Sequence, residues 1–196
     1  MMRKSKKLFI IGLIILVASV LLKNALHLKF HISHSGELSK GVYQYQTNSI
    51  AVGDWVEACM PQHISPYARL LGYIQAGNCP DGSKPLYLQV VAMQGDQVEI
   101  TPLIVKINGV VQKNIIRLER DANNIEIPSI DEGQYITKTD EVWLMGNRPK
   151  TWDSRYFGPI HKKHILHVVK PIMVWDETNG ETTSETTGET TNESQK

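Results

Sequence analysis

An apolar run near the N-terminus limits the possible folds of this chain more than any other feature. It covers residues 8–22 and is interrupted only by Gly12 and Ser19. Four basic residues and no acidic residue precede the run. The run alone is shorter than the roughly 20 residues that cross a bilayer as a helix, but further apolar residues extend it to Leu28. Because no Ala-x-Ala cleavage motif follows, the pattern favours an uncleaved signal-anchor over a signal peptide that is removed.

The charges around this run predict its orientation. Basic residues ahead of a membrane helix hold that end of the chain in the cytoplasm. We therefore expect a cytoplasmic N-terminus at residues 1–7, a transmembrane signal-anchor at residues 8–28 and a periplasmic domain at residues 29–175. The predicted location is the inner (cytoplasmic) membrane, crossed once.

Charge is distributed unevenly, although the formal net charge is only +1. Residues 1–29 contain six bases and no acid, whereas residues 176–196 contain six acids and one base. The other 14 bases and 14 acids leave residues 30–175 neutral, which argues against a nucleic-acid partner. Residues 176–196 repeat Glu-Thr-Thr with no apolar side chain, so they are predicted to form a disordered acidic tail.

The two cysteines, Cys59 and Cys79, fall in the segment predicted to be exported. An exported pair indicates a disulfide, which here would close a loop of about 20 residues and stabilise the fold by roughly 3 kcal/mol. The alternative is a pair of buried free thiols. Two cysteines this far apart do not indicate a metal site.

Short apolar or alternating segments between turn residues predict a strand-rich body. The predicted strands are residues 42–47, 50–58, 85–94, 97–107, 110–118, 125–127, 141–145 and 165–175. Asn108-Gly109 between apolar runs is a strong hairpin signal, and Pro66 to Ile74 has the spacing of a helix. The fold class is therefore mostly β, an antiparallel body with one N-terminal transmembrane helix and one short soluble helix.

Several motifs resemble the signal peptidase I superfamily. The run from Thr151 to Ile160, Thr-Trp-Asp-Ser-Arg-Tyr-Phe-Gly-Pro-Ile, is similar to its C-terminal box, and residues 90–98 are similar to its lysine box. Residues 53–56, Gly-Asp-Trp-Val, together with Gly-Asn-Cys-Pro at residues 77–80, resemble the conjugative-transfer branch, the TraF type of peptidase. The resemblance covers roughly residues 40–175 and implies a signal-peptidase-like fold that acts on pilin.

The reaction that this resemblance implies is peptide-bond hydrolysis by a Ser/Lys dyad, in which a neutral, buried Lys accepts the proton of the Ser hydroxyl. Alignment on Gly41 and Tyr43 puts Glu37 at the family's serine position. Seven residues before Gly95, at the family's lysine position, stands Leu88. Since leucine cannot accept a proton, we expect the usual dyad chemistry to be impaired.

An active alternative needs a displaced nucleophile. Ser35, two residues before Glu37, could serve if the loop bulges, with Lys84 or Lys40 replacing the missing base. Lys84 lies in a predicted turn, where a lysine is normally solvated and protonated and is therefore a poor base.

The box residues Asp153, Ser154 and Arg155 belong to the active-site wall that the resemblance implies, where Ser and Arg support the catalytic Lys. Because the expected position holds no Lys, we expect Arg155 to pair locally with Asp153 and the box to close the barrel.

His161, His164 and His167 recur every three residues and raise the question of a metal site. On a strand the middle ring faces away from the outer two, and no carboxylate stands beside them in the sequence. A polar strand edge is the better interpretation. The sequence has no phosphate-binding glycine loop, His-Glu-x-x-His motif or cofactor fingerprint, so no metal and no cofactor are predicted.

These patterns give three functional hypotheses. The first is a TraF-type signal peptidase homologue of a conjugation or type IV secretion system, which binds pilin or a pilus-assembly protein in a cleft that no longer cuts. The second is an active peptidase that matures pilin through Ser35. The third is a structural subunit of the secretion channel.

Overall fold

The computed structural model describes residues 2–26, 28–31, 37–148 and 150–175. Its first element is helix α1, Met2–Ala25. The window Lys7–Asn24 is long and apolar enough to cross a membrane, and none of it is buried against the rest of the chain. The helix fits a single-pass membrane anchor or a signal sequence.

Eleven strands and two further α-helices follow α1 within the described residues. The strands are β1 Leu28–His31, β2 Gly41–Gln46, β3 Trp55–Ala58, β4 Leu86–Ala92, β5 Gln97–Ile100, β6 Ile104–Ile107, β7 Val110–Ile116, β8 Gly133–Ile136, β9 Glu141–Met145, β10 Ile160–His161 and β11 Ile165–Val174. The helices are α2 Ser65–Leu70 and α3 Ser154–Phe157, and a 3-10 turn spans Lys162–His164.

The strands form two antiparallel sheets. The larger has seven strands in the order β1-β2-β11-β3-β4-β9-β10, and the smaller has four in the order β7-β6-β5-β8. The chain builds the whole smaller sheet between β4 and β9, which lie side by side in the larger sheet. The prediction of a mostly β, antiparallel fold with an N-terminal apolar helix and few other helices is confirmed.

Strand β9 shows how the sequence builds the core. Its residues Val142 and Leu144 join the main core cluster, while Trp143 and Met145 join the cluster of the smaller sheet. Successive side chains of a strand point to opposite faces, so a strand buried on both faces is apolar throughout. Its Val-Trp-Leu-Met run therefore places β9 between the two sheets' cores.

The predicted hairpin at Asn108-Gly109 is confirmed. Strands β6 and β7 pair across it, and both turn residues have positive φ, 50° at Asn108 and 80° at Gly109. A two-residue turn with positive φ at both positions matches the twist of the flanking strands, and Asn-Gly adopts it readily.

Two predicted strands were too long. Residues 97–107 form two paired strands, β5 and β6, because the chain reverses around Pro102, where the Thr101 hydroxyl and amide bond to Ile104. Of residues 50–58 only Trp55–Ala58 is strand, because the chain turns at Gly53, which has a φ of 92°.

Other boundaries also differ. The predicted helix 66–74 ends at Leu70, because the backbone leaves the helical conformation at Gly72, which has a φ of 76°. The predicted strand 125–127 is wrong: the segment makes one isolated bridge, and the Asp121 carboxylate accepts hydrogen bonds from the backbone around it. Strands β1, β8 and β10 and the short helix α3 were missed. The acidic tail and Ser35 lie outside the described residues.

Candidate functional site

The C-terminal box forms a fully buried ion pair at the end of β9. Asp153 caps the N-terminus of α3, where its Oδ1 accepts from the Arg155 amide at 3.0 Å. The same oxygen accepts from Arg155 Nε at 2.8 Å, and Oδ2 accepts from Nη2 at 2.8 Å. Both side chains are 0% exposed. This two-point pairing matches the planar fork of arginine to a carboxylate.

The guanidinium also binds backbone oxygens from three places in the chain. It donates to the carbonyls of Ile116 at 2.6 Å and of Arg148 and Thr151 at 3.0 Å each. Burial raises the pKa of the Asp153 carboxyl, while the Arg155 guanidinium and the amide donors lower it. Arg155 therefore ties the box to the end of β7 and to the loop after β9.

Asp153 and Ser154 also bind β9 and its continuation directly. The Ser154 hydroxyl accepts from the Leu144 amide at 2.9 Å, and Asp153 Oδ2 accepts from the Gly146 amide at 2.9 Å. The structure thus places Asp153, Ser154 and Arg155 together, and the local Asp153–Arg155 pairing is present. Their part in an active-site wall stays a prediction.

Glu37 lies against the loop that follows β9. One of its carboxylate oxygens accepts from the Asn147 amide at 2.9 Å, and the other accepts from the Thr151 hydroxyl. A Cβ on Gly146 would stand 2.7 Å from Glu37 Oε2 and 2.5 Å from Thr151, so a glycine allows this close approach. The residue that the sequence analysis aligned with the family's serine is therefore a hydrogen-bond acceptor with two donors.

Leu88 lies in the main core, with its side chain 1% exposed. It packs in one cluster with buried residues of β3, β9 and β10, including Val56, Leu144 and Ile160. An ammonium group in this apolar cluster would be strongly desolvated. The backbone thus offers the burial that the family's general base needs, but the side chain there cannot accept a proton.

The fallback bases and nucleophile are not assembled by the described residues. Lys84 is exposed on the loop after the cysteines, as the sequence predicted. Lys40 is half-buried before β2. Since Ser35 lies outside the described residues, the displaced dyad stays a prediction.

A cavity of about 320 Å³ adjoins the Glu37 contact through Thr151. Its walls include Tyr73, Trp152 and Tyr156, and the Trp152 and Tyr156 rings stack with centroids 5.4 Å apart. Burial, together with a hydrogen bond to Asp121, raises the pKa of Tyr73 to about 12. Stacked aromatic walls with a few polar groups are typical of a site that takes an apolar side chain.

A buried polar network on the larger sheet was missed by the sequence analysis. Glu57 Oε1 accepts from the Tyr87 hydroxyl at 2.9 Å, and its Oε2 lies 2.7 Å from His167 Nδ1. The Tyr45 hydroxyl donates to that of Tyr87 at 3.0 Å. Burial raises the pKa of Tyr87, and its bond with Tyr45 and the charge of Glu57 add to this rise.

The expectation that His161, His164 and His167 lack a neighbouring carboxylate is wrong for His167. Strand pairing brings β11 beside β3 and sets His167 against Glu57, 110 residues earlier. His161 caps the 3-10 turn, and His164 is the last residue of that turn. No group of three or more His, Cys, Asp or Glu among the described residues is arranged to hold a metal ion.

Cys59 and Cys79 are joined by a disulfide in the structure, across 20 residues of chain. The enclosed loop carries α2, whose Ala68 and the following Ile74 pack in the main core. Closing a loop of this length restricts the unfolded chain and stabilises the fold by about 3 kcal/mol.

Comparison with known proteins shows which family this chain resembles. The family described as signal peptidase, peptidase S26, matches residues 5–175. A plasmid transfer protein TraF of Escherichia coli is 30% identical over 161 residues, which are 81% of this chain and 91% of that protein. A probable conjugal transfer protein TraF of Sinorhizobium fredii is 34% identical over 126 residues, 64% of this chain and 65% of that protein.

A third relative is the conjugal transfer protein TraF of Agrobacterium tumefaciens, 28% identical over 129 residues, 64% of this chain and 70% of that protein. The matched region includes α1, the sheets and the C-terminal box. The chain therefore belongs to the signal peptidase family, peptidase S26, in its TraF conjugative-transfer branch.

Proposed function

We propose that this protein is a membrane-anchored TraF-type homologue that acts in pilin processing or pilus assembly on the periplasmic side of the inner membrane, without Ser/Lys cleavage. It binds pilin or a pilus-assembly protein of a conjugation or type IV secretion system.

The observation that carries the proposal is Leu88, buried in the main core at the family's lysine position. Hydrolysis by the dyad needs a base at that point to take the proton from the nucleophile. Glu37 gives no nucleophilic hydroxyl at the serine position, and its carboxylate accepts from Asn147 and Thr151. Both halves of the dyad are thus replaced by groups with structural partners.

Binding is supported by the aromatic cavity beside Thr151. It lies next to the Glu37 contact, and its Tyr73, Trp152 and Tyr156 walls offer apolar surface to a peptide side chain. A protein that binds pilin in this cavity but lacks the Ser/Lys dyad would present pilin for assembly and leave the mass of pilin unchanged.

The test is made in cells that carry the conjugative element. Strains with the intact gene, a deletion, Ser35→Ala and Ser39→Ala are compared for transfer frequency and for the intact mass of pilin. Ser39 is the matched control, because it is an exposed serine that lies four residues after Ser35. We expect the deletion to lower transfer while the mass of any pilin present stays unchanged.

Two results would contradict the proposal. Transfer and pilus number that survive the deletion would exclude a role in assembly. A pilin mass that changes in Ser35→Ala but not in Ser39→Ala, at equal protein levels, would show an active peptidase with a displaced serine.

A further inference from the structure

A second cavity, of about 550 Å³, lies at the start of β11, against the disulfide. We call it the histidine cavity. Its titratable and charged lining residues are His63, Asp81, His161, Lys163 and His164. It shares no lining residue with the cavity beside Glu37.

The walls of the histidine cavity are held together by bonds that do not depend on a ligand. The disulfide joins Cys59, which lines the cavity, to Cys79, which directly precedes the lining residues Pro80 and Asp81. The Cys59 amide donates to the His164 carbonyl at 2.9 Å, which ties these two lining residues together. A site whose parts are already in place loses little freedom when a ligand binds.

When its histidines are protonated, the cavity carries more positive than negative charge and so attracts an anion. Burial lowers the pKa of His164, and the charges of Lys163, His161 and His63 lower it further, while Asp81 opposes them. Mutual repulsion of this kind is relieved when a negative group enters. Asp81 is the one acid in the described lining; its Oδ1 accepts from the Ser83 hydroxyl at 3.0 Å, and its Oδ2 is buried without a hydrogen-bond partner in the described structure.

His161 offers a donor to such an anion even when it is neutral. Its Nδ1 accepts from the Lys163 amide at 3.1 Å, so this hydrogen bond assigns the proton of the neutral ring to Nε2. Carboxylates, like phosphates, pair with imidazolium, imidazole N–H and ammonium donors.

The chain itself carries carboxylates within reach. Residues 176–196 contain six acids against one base, with Glu181, Glu185, Glu189 and Glu193 at intervals of four. This segment starts after Trp175, whose amide donates to the Lys40 carbonyl. The ten-residue strand β11 separates that point from the cavity by about 30 Å, whereas 21 extended residues span about 70 Å.

We propose that the histidine cavity binds the carboxylates of residues 176–196 of the same chain, and that this contact tightens as the cavity histidines take up protons. Four equivalent glutamates on one tether keep the local carboxylate concentration high, so any one of them can fill the site. The proposal goes beyond the function in pilus assembly and does not depend on it.

The test is an NMR titration of imidazole resonances in the full-length protein in lipid nanodiscs at low ionic strength. The comparison variant changes Glu181, Glu185, Glu189 and Glu193 to Gln. A matched control changes Thr182, Thr186 and Thr190 to Gln and keeps every charge. We expect the pKa of His164 to fall by about half a pH unit in the Glu→Gln variant alone, the size of a partly exposed ion pair.

Three further measurements test the proposal: the titration of a histidine outside the cavity, the dependence on salt and the dependence on protein concentration. His167, which pairs with Glu57 outside the cavity, should not shift and serves as the internal control. The difference should vanish near 1 M salt, where charges are screened beyond about 3 Å. Equal titration in all three proteins would overturn the proposal, and so would a difference that disappears on tenfold dilution, because pairing within one chain does not depend on concentration.

Discussion

Two regions that the resemblance predicts to form one active site differ sharply in this chain. The C-terminal box keeps Asp153, Ser154 and Arg155, all 0% exposed, with a bidentate ion pair and bonds to carbonyls and amides of other segments. The positions that the sequence alignment predicts for the dyad carry Glu37, whose carboxylate accepts two hydrogen bonds, and Leu88, which makes apolar contacts in the main core.

These contacts indicate that the box has a structural role that does not depend on catalysis. Arg155 donates to the carbonyls of Ile116, Arg148 and Thr151, so its removal would leave three partly buried acceptors without this donor. Glu37 and Leu88 bond no comparable set of backbone groups from other segments. The hydrogen bonds of the box hold several segments together, whereas Leu88 only fills space in the main core.

The largest expected effect is that of Arg155→Met. It leaves the Asp153 carboxylate buried without its cation, and breaking a buried pair this way costs about 3–5 kcal/mol. Urea unfolding of the protein in nanodiscs measures the loss. Lys138→Met, which removes an exposed cation 4.0 Å from Glu141, is the control and should change stability by less than about 1 kcal/mol. An equal, small effect of both would mean that the box is not structural.

The next effect is that of Leu88→Lys, which rebuilds the family's lysine in the present core. We expect a loss of about 3 kcal/mol at pH 7, because the ammonium is desolvated. The folded-state pKa would lie below the unfolded value of about 10.4, so the loss is full at neutral pH and shrinks as the pH rises towards 10.

Unfolding measured at pH 7 and pH 9.5 checks this, with Leu88→Met as the volume-matched control, expected to cost under about 1.5 kcal/mol. Stability that does not depend on pH in Leu88→Lys would show that the side chain reaches solvent, and the core would then be more open at this position than the structure shows.

Ser154→Ala should have an intermediate effect. The Leu144 amide loses its acceptor in the middle of β9, and a buried unpaired donor costs about 1–3 kcal/mol. Ser129→Ala removes an exposed hydroxyl that donates to a nearby carbonyl and is the control, with a change of less than about 0.5 kcal/mol. Hydrogen exchange of the Leu144 amide, faster in Ser154→Ala only, would locate the cause.

The smallest effect is expected from Glu37→Gln. A neutral amide still offers one oxygen to Asn147 or Thr151, so the loss should be about 1 kcal/mol or less. A loss as large as that of Arg155→Met would remove the contrast between the two regions and make Glu37 part of the structural framework.

The sequence predicted those parts of the fold that depend on neighbouring residues. Strand β9 and the Asn108-Gly109 hairpin follow from an apolar run and a turn dipeptide. Strand β8, in contrast, has mostly exposed side chains and no alternation of burial, so its pairing with β5 carries no local signal. The same holds for residues 125–127, whose apolar residues could not show that Asp121 binds their backbone.

The site divides in the same way. The Asp153–Arg155 pairing lies within three residues and was predicted. The Glu57–His167 contact joins residues 110 apart and depends on which strands are neighbours, which no spacing in the sequence shows. The histidine cavity was missed for the same reason, since His63 and His164 meet only after the chain has folded.

The measurement that tests the central claim most directly combines the purified full-length protein in nanodiscs with the purified pilin precursor. Binding is read by co-sedimentation of pilin with the nanodiscs, and cleavage by intact-mass spectrometry. We expect pilin to sediment with the nanodiscs and to keep its precursor mass. A smaller pilin that appears with the wild-type protein and not with Ser35→Ala would contradict binding without cleavage.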